Sequence, residues 1–127
     1  MSLVHRLFAL KIAPPFDRLR DAELALIADV AQDRTYAPGA VVHASAEPFR
    51  RLYVLLEGAW LLPDGQPAPA VLGVGSLLFN QPAPGVVTAD PTRGARCAVI
   101  GKDHFHTICN ECPELLLGFL EMKGGVR

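Results

Sequence analysis

Three cysteines in 127 residues are too few, and odd in number, for a disulfide scaffold. That usage fits a reducing compartment, and the expected location is the cytoplasm. Basic excess is missing as well. Twelve Lys and Arg face thirteen Asp and Glu, a net charge of −1, so no direct nucleic-acid binding is expected from this balance. No apolar run approaches the roughly eighteen residues that mark a spanning helix, and no membrane segment is expected. The first residues are not a secretory signal: His5, Arg6 and Lys11 interrupt them, and Pro14-Pro15 follows in place of a small-residue cleavage site. Repeats and low-complexity tracts are absent. So are Gly-x-Ser-x-Gly, P-loop and paired-carboxylate motifs, which leaves hydrolase or kinase chemistry without support. The chain reads as non-enzymatic, with no catalytic residue and no cofactor.

What is present is core material. Half of the residues are hydrophobic and a fifth are charged, enough to build one compact domain at this length. Eleven Gly and eleven Pro punctuate it. Leu3 to Lys11 predicts a short amphipathic helix ended by Pro14-Pro15. Asp21 is placed to cap a second helix with Leu24, Ile27, Ala28 and Ala31 on its apolar stripe. After the turn dipeptide Pro38-Gly39 the period becomes strand-like, from Val41-Val42. Leu52 to Leu56 predicts a buried strand stopped at Glu57-Gly58 and continued by Ala59 to Leu62, with a hairpin signal at Asp64-Gly65. Val71 to Gly75, Gly85 to Ala89 and Arg96 to Ile100 predict further strands. Helical period returns after Gly101, with Asp103 as a cap and Phe105, Ile108 and Cys109 on one face. Pro113 opens a last helix, Glu114 to Met122, with Leu115, Leu116, Phe119 and Leu120 apolar and Lys123-Gly124-Gly125 as its stop. Many short strands between helices make a mainly β sandwich or barrel.

In this order the residues resemble the cyclic-nucleotide-binding domain, the sensor half of catabolite-activator-type regulators. Leu7-Phe8, Pro15-Phe16 and Leu19 with Ala22-Glu23-Leu24 are similar to the family's N-terminal helices. Tyr36-Ala37-Pro38-Gly39 is similar to its turn into the roll. Leu52 to Gly58 is the nearest match, followed by Asp64-Gly65 and Gly73-Val74-Gly75. Lys102 to Phe105 and Cys112 to Leu115 resemble the exit from its last strand and its C-terminal helix. The resemblance implies an eight-stranded double-sheet jelly roll. Helices would occupy 1–35, the β-roll 36–101 and C-terminal helices 102–123 of a single domain covering 1–127.

That family binds its ligand with a phosphate cassette. A short helix after Gly-x-x-Phe-Gly-Glu offers amide protons to the phosphate, the Glu takes the ribose, and an Arg before Thr/Ser-Ala pairs with the charge. Here Gly75 to Val87 departs from the pattern. Phe79, Asn80 and Gln81 stand where the second Gly and the Glu belong, and Pro82 and Pro84 remove two amide donors. Counting back from the last strand puts Gly85 at the position of the arginine, and the stretch is short for the whole cassette. Arg93 stands too close to Phe105 to replace it, so Arg93 and Arg96 are expected at the last hairpin, solvated. Losing two or three charge-assisted hydrogen bonds of about 1.5–3 kcal/mol each costs on the order of a hundredfold to a millionfold in affinity.

Two other constellations have metal-site character. His104-x-His106 with Cys109-x-x-Cys112 has zinc-ligand character, and His104, His106, Glu111 and Gly118 echo a cupin metal motif. Against both, the segment has helical period, Pro113 interrupts it, and no second cupin motif follows, so no metal is expected. His43 is expected on a sheet surface, Glu57 at a turn, Trp60 in the core, and Arg50-Arg51 at a solvated hairpin edge.

The expected function is therefore a regulatory, ligand-sensing or protein-interaction domain without usual cAMP or cGMP binding. The alternative is a genuine cyclic-nucleotide binder with an atypical pocket. By family position a pocket between the roll and the C-terminal helices would involve Leu56, Gly58, Gly75, Leu78, Phe79, Asn80, Gln81, Val86 and Val87. Candidate partners are a small molecule or cyclic nucleotide and a protein partner. A homodimer through the last helix is a further candidate, although that helix is expected to cover the roll.

Overall fold

The structure, a computed structural model, describes Leu7, Phe8, Leu10, Lys11 and residues 15–121, with the backbone alone for 122–125. Part of the helix expected over Leu3 to Lys11 lies outside the described residues; Leu7, Phe8, Leu10 and Lys11 are helical. A single 3-10 turn, Phe16–Arg18, leads into helix α1, Asp21–Val30. Asp21 is the first helical residue, not the cap. The Glu23 carboxylate instead reaches back to accept the Arg20 amide at 3.0 Å, satisfying one of the donors a helix start leaves open.

Among the described residues seven strands follow, where eight were expected. They are β1 Gln32–Tyr36, β2 Val41–His43, β3 Arg51–Gly58, β4 Trp60–Leu61, β5 Val71–Leu72, β6 Val87–Ala89 and β7 Ala95–Gly101. Every pairing is antiparallel. One sheet has the order β1-β7-β3-β5 and the other β2-β6-β4. Prolines explain the missing strand. Pro67 and Pro69 allow the segment before β5 only an isolated bridge between Leu61 and Pro67, and Pro82 and Pro84 keep the segment before β6 off the ladder.

Four boundaries differ from expectation. β1 takes 32–35 away from the helical region, because Ala31 is already extended and Gln32–Tyr36 pairs along β7. β4 does not continue β3: Gly58 turns at φ +80, and Trp60 joins the other sheet. The strand expected over Val71 to Gly75 stops at Leu72. Gly73, at φ +103, turns the chain into helix α2, Val74–Phe79. Likewise only Val87–Ala89 of the run from Gly85 is paired.

β7 runs directly into α3, Lys102–Glu111, and Pro113 opens α4, Pro113–Gly125. Asp103 lies in the first turn of α3, and Gly101 precedes the helix as its cap. Apolar alternation divides the core in two. Ala95, Cys97 and Val99 of β7 join Tyr53, Leu72, Trp60 and Val87 between the sheets. Ala98 and Ile100 join Leu52, Val54, Phe16, Leu24, Phe105, Leu115 and Phe119 on the helix side. The larger sheet is thus covered on both faces, which is why β3 and β7 read as continuous apolar runs. Phe119 anchors α4, with its ring 5.7 Å from Phe16 and 5.6 Å from Phe105. Of the expected apolar face, Leu115 and Phe119 are buried and Leu116 half-buried, while Leu120 and the neighbouring Leu117 are exposed.

Candidate ligand pocket

The chain between β5 and β6 folds back on itself. Gly73 is forced to be glycine: a Cβ there would meet the Arg51 carbonyl oxygen at 2.5 Å. The six residues of α2 end at Asn80, itself left-handed at φ 55, a conformation Asn tolerates better than most residues. The Asn80 amide donates to the Ser76 carbonyl at 2.9 Å. The buried Ser76 hydroxyl accepts the Phe49 amide at 2.9 Å and donates to the Gln81 carbonyl at 2.8 Å. Helix, β3 entry and the Pro82–Pro84 loop are thereby fastened together.

A cavity of about 340 Å³ lies against this unit. Gly73, Val74, Gly75, Ser76, Gln81, Pro82 and Pro84 form one side of it. Phe49, Leu62, Pro69, Val71 and Leu72 form the other, and Phe119 of α4 closes on it. No Lys, Arg, His, Asp or Glu is among these residues. Its polar side chains are Ser76, whose hydroxyl is engaged, and Gln81, which is exposed. Such a wall solvates apolar groups and leaves a buried anion uncompensated.

Of the residues expected at a pocket, Gly75 and Gln81 line this cavity. Asn80 lines a second recess with Glu47, Arg50 and Lys102. Gly58 lines a third with Glu57, Arg93 and Arg96. Leu56 and Leu78 are half-buried and pack on the helix-side core. Phe79 and Val86 are exposed, and Val87 is fully buried between the sheets. The cavity also uses Leu62, Pro69, Pro82 and Pro84, which sequence reasoning did not place there. Pro82 and Pro84 were visible as lost donors, but nothing local signals that Leu62 and Pro69 reach the same cavity as α2.

Comparison with solved structures follows from this geometry. The regulatory domain of Toxoplasma gondii PKA, solved with cAMP, is 20% identical with a TM-score of 0.68, covering 84% of this chain and 44% of that one. The regulatory subunit of a cAMP-independent protein kinase A from Trypanosoma brucei is 20% identical at a TM-score of 0.74, covering 98% of this chain and 47% of that one. The N-terminal domain of a transcriptional regulator from Streptomyces coelicolor A3(2) is 26% identical at 0.66, covering 89% and 85%. The fold is that of a cyclic-nucleotide-binding domain. The chain spans less than half of either kinase regulatory chain. No sequence-family model matches it, and no curated protein does.

Within this cyclic-nucleotide-binding-like fold the other constellations fall into place. His104 and His106 are exposed on α3. A helix there removes the cupin reading, which needs strand ligands facing a barrel interior. Among the described residues no three of His, Cys, Asp and Glu come together as a metal site. His43 is half-buried, stacked 4.3 Å from Phe49, with Nε2 2.7 Å from the Glu47 carbonyl. Trp60 is buried and donates to the Pro69 carbonyl at 2.6 Å. Arg93 is solvated; Arg96 is not, being half-buried beside Glu57. Among the described residues no helix is long and apolar enough to cross a membrane.

Proposed function

We propose that this chain is a non-enzymatic regulatory domain that has kept the cyclic-nucleotide-binding fold without the usual cyclic-nucleotide chemistry. It serves as a ligand-sensing or protein-interaction module. The observation that supports this reading is the wall of the cavity beside α2, whose lining holds no Lys, Arg or His. Gly85 occupies the position that the family resemblance gives to an arginine. Pro82 and Pro84 line the cavity without amide protons to offer. A cyclic phosphate buried there would lose the charge-assisted hydrogen bonds that make such binding micromolar or better. Gly75 and Gln81 line the pocket, and its apolar remainder favours a neutral ligand over an anion. The three free cysteines, all buried, suit a cytoplasmic setting.

The rival reading is a genuine cyclic-nucleotide site of unusual construction. In its favour stands the likeness to a domain solved with cAMP. It requires an arginine from elsewhere, and Arg93 and Arg96 line a different recess from the main cavity. Calorimetric titration of the chain with cyclic AMP and cyclic GMP separates the two. No heat at millimolar ligand is the expected result, and micromolar binding overturns the proposal.

A further inference from the structure

A recess of about 380 Å³ lies at the end of the larger sheet farthest from the start of α3, and no residue lines both it and the main cavity. Thr35, Arg96 and Glu57 form one cross-strand row there, with Thr35 opposite Arg96 on β1 and Glu57 opposite Arg96 on β3. The bulge between Leu55 and Glu57 creates that last pairing, since an extra residue re-aims the side chains beyond it. Arg93 lines the same recess. Its loop is held by Asp90, whose carboxylate accepts the Thr92 amide at 2.8 Å and the Arg93 amide at 2.9 Å.

The charges in this recess are poorly matched. Arg96 Nη1 is 3.9 Å from the Glu57 carboxylate, which is an ion pair too long for a hydrogen bond. Its Nε is buried with no hydrogen-bond partner. A buried donor left unpaired is costly, and a guanidinium is best satisfied by a fork of two parallel bonds to one oxyanion. Arg93 has no ion pair among the described residues. Arg93 and Arg96 line the recess with Glu57 and Thr35, and the Asp90 carboxylate also acts on Arg93 from the same loop.

We infer that this recess binds a phosphate group, with Arg96 turning its Nε–Nη edge onto two oxygens and Arg93 closing from the loop. Such binding relieves the unpaired Arg96 Nε. The volume exceeds what inorganic phosphate fills, leaving room for the body of a phosphomonoester. This site is independent of what the main cavity takes, because its arginines are absent from that wall.

The test is titration of the whole chain with inorganic phosphate and with phenyl phosphate at low ionic strength, read by amide chemical shifts. Saturable shifts at 57–58 and 93–97 are expected. Arg93→Gln and Arg96→Gln should each weaken binding about tenfold or more, while Glu57→Gln should tighten it. Tighter binding of phenyl phosphate identifies the source as a phosphomonoester, and equal binding identifies free phosphate. Should Arg96→Gln fail to fold, Arg93→Gln on its exposed loop carries the test. Affinity indifferent to Arg93→Gln and Glu57→Gln, or shifts confined to Arg50 and Lys102, would overturn the inference. A cyclic AMP titration reports on the other cavity, so the two proposals fail separately.

Discussion

Ser76 and Phe49, 27 positions apart, are joined by a buried hydrogen bond in which the Ser76 hydroxyl accepts the Phe49 amide at 2.9 Å. The same hydroxyl donates to the Gln81 carbonyl at 2.8 Å. One oxygen thus fixes α2, the entry to β3 and the loop that floors the cavity. It also means that the best-placed hydroxyl in the pocket wall is already spent on the fold.

Ser76→Ala should therefore cost about 2 kcal/mol, because it leaves the buried Phe49 amide without a partner and releases the part-buried Gln81 carbonyl. Ser45→Ala, which removes an acceptor for the exposed Glu47 amide, should stay within about 0.5 kcal/mol. Denaturant midpoints of the two variants check this. Equal midpoints would mean that the Ser76 bridge does not hold the pocket loop.

Gly58 and Gly65 both sit at positive φ, +80 and +85, but their surroundings differ. A Cβ on Gly58 would collide with the Gly94 carbonyl, whereas one on Gly65 has nothing within 4 Å. Gly65→Ala should cost about 1 kcal/mol, the backbone penalty alone. Gly58→Ala should cost at least twice that and perturb the arginine recess beside it. Thermal unfolding of both variants gives the ordering.

The parts of this fold that were legible in the residues are those where local pattern and burial agree. Leu52 to Leu56 is apolar throughout because β3 is covered on both faces. Phe105 and Cys109 share a face because α3 buries that stripe. β1 was hidden: Gln32–Tyr36 carries charged residues and is a strand through its pairing with β7. Val71 to Gly75 misled for the opposite reason. Its apolar run suits either structure, and the left-handed Gly73 decides where strand gives way to helix. Of the residues expected at a pocket, Gly75 within α2 and Gln81 in the loop after it line the cavity. Leu62 and Pro69 come to the cavity from a distant part of the chain, which is a tertiary event. The Arg96–Glu57 juxtaposition depends on a bulge that no spacing announces.

Burial should give the thiols a pH signature. Desolvation pushes the Cys97 thiol from near 9 up to about 11, and the Cys109 thiol likewise to about 11. A raised folded pKa means that the unfolded chain loses its proton first. The contribution is complete below about pH 9 and is lost as pH rises through about 11. Denaturation midpoints should fall across that window, and the fall should be shallower in Cys97→Ala than in the parent. A thiol reagent at pH 8 should label the folded chain slowly and the unfolded chain at once. Rapid labelling of folded protein would contradict the burial of these side chains.

An arginine at Gly85, where the resemblance puts the family's arginine, should not confer cyclic-nucleotide binding. Gly85 stands at φ +128, and a Cβ there would lie 2.9 Å from the Pro63 ring. Gly85→Arg therefore strains the backbone and displaces the hairpin before its guanidinium reaches the cavity. The amide donors lost at Pro82 and Pro84 also remain lost. The expected outcome is a variant with a lower melting temperature and still no heat on titration with millimolar cyclic AMP. A variant that binds at micromolar concentration would mean that one missing charge, and not the shape of the loop, separates this pocket from a working cyclic-nucleotide site.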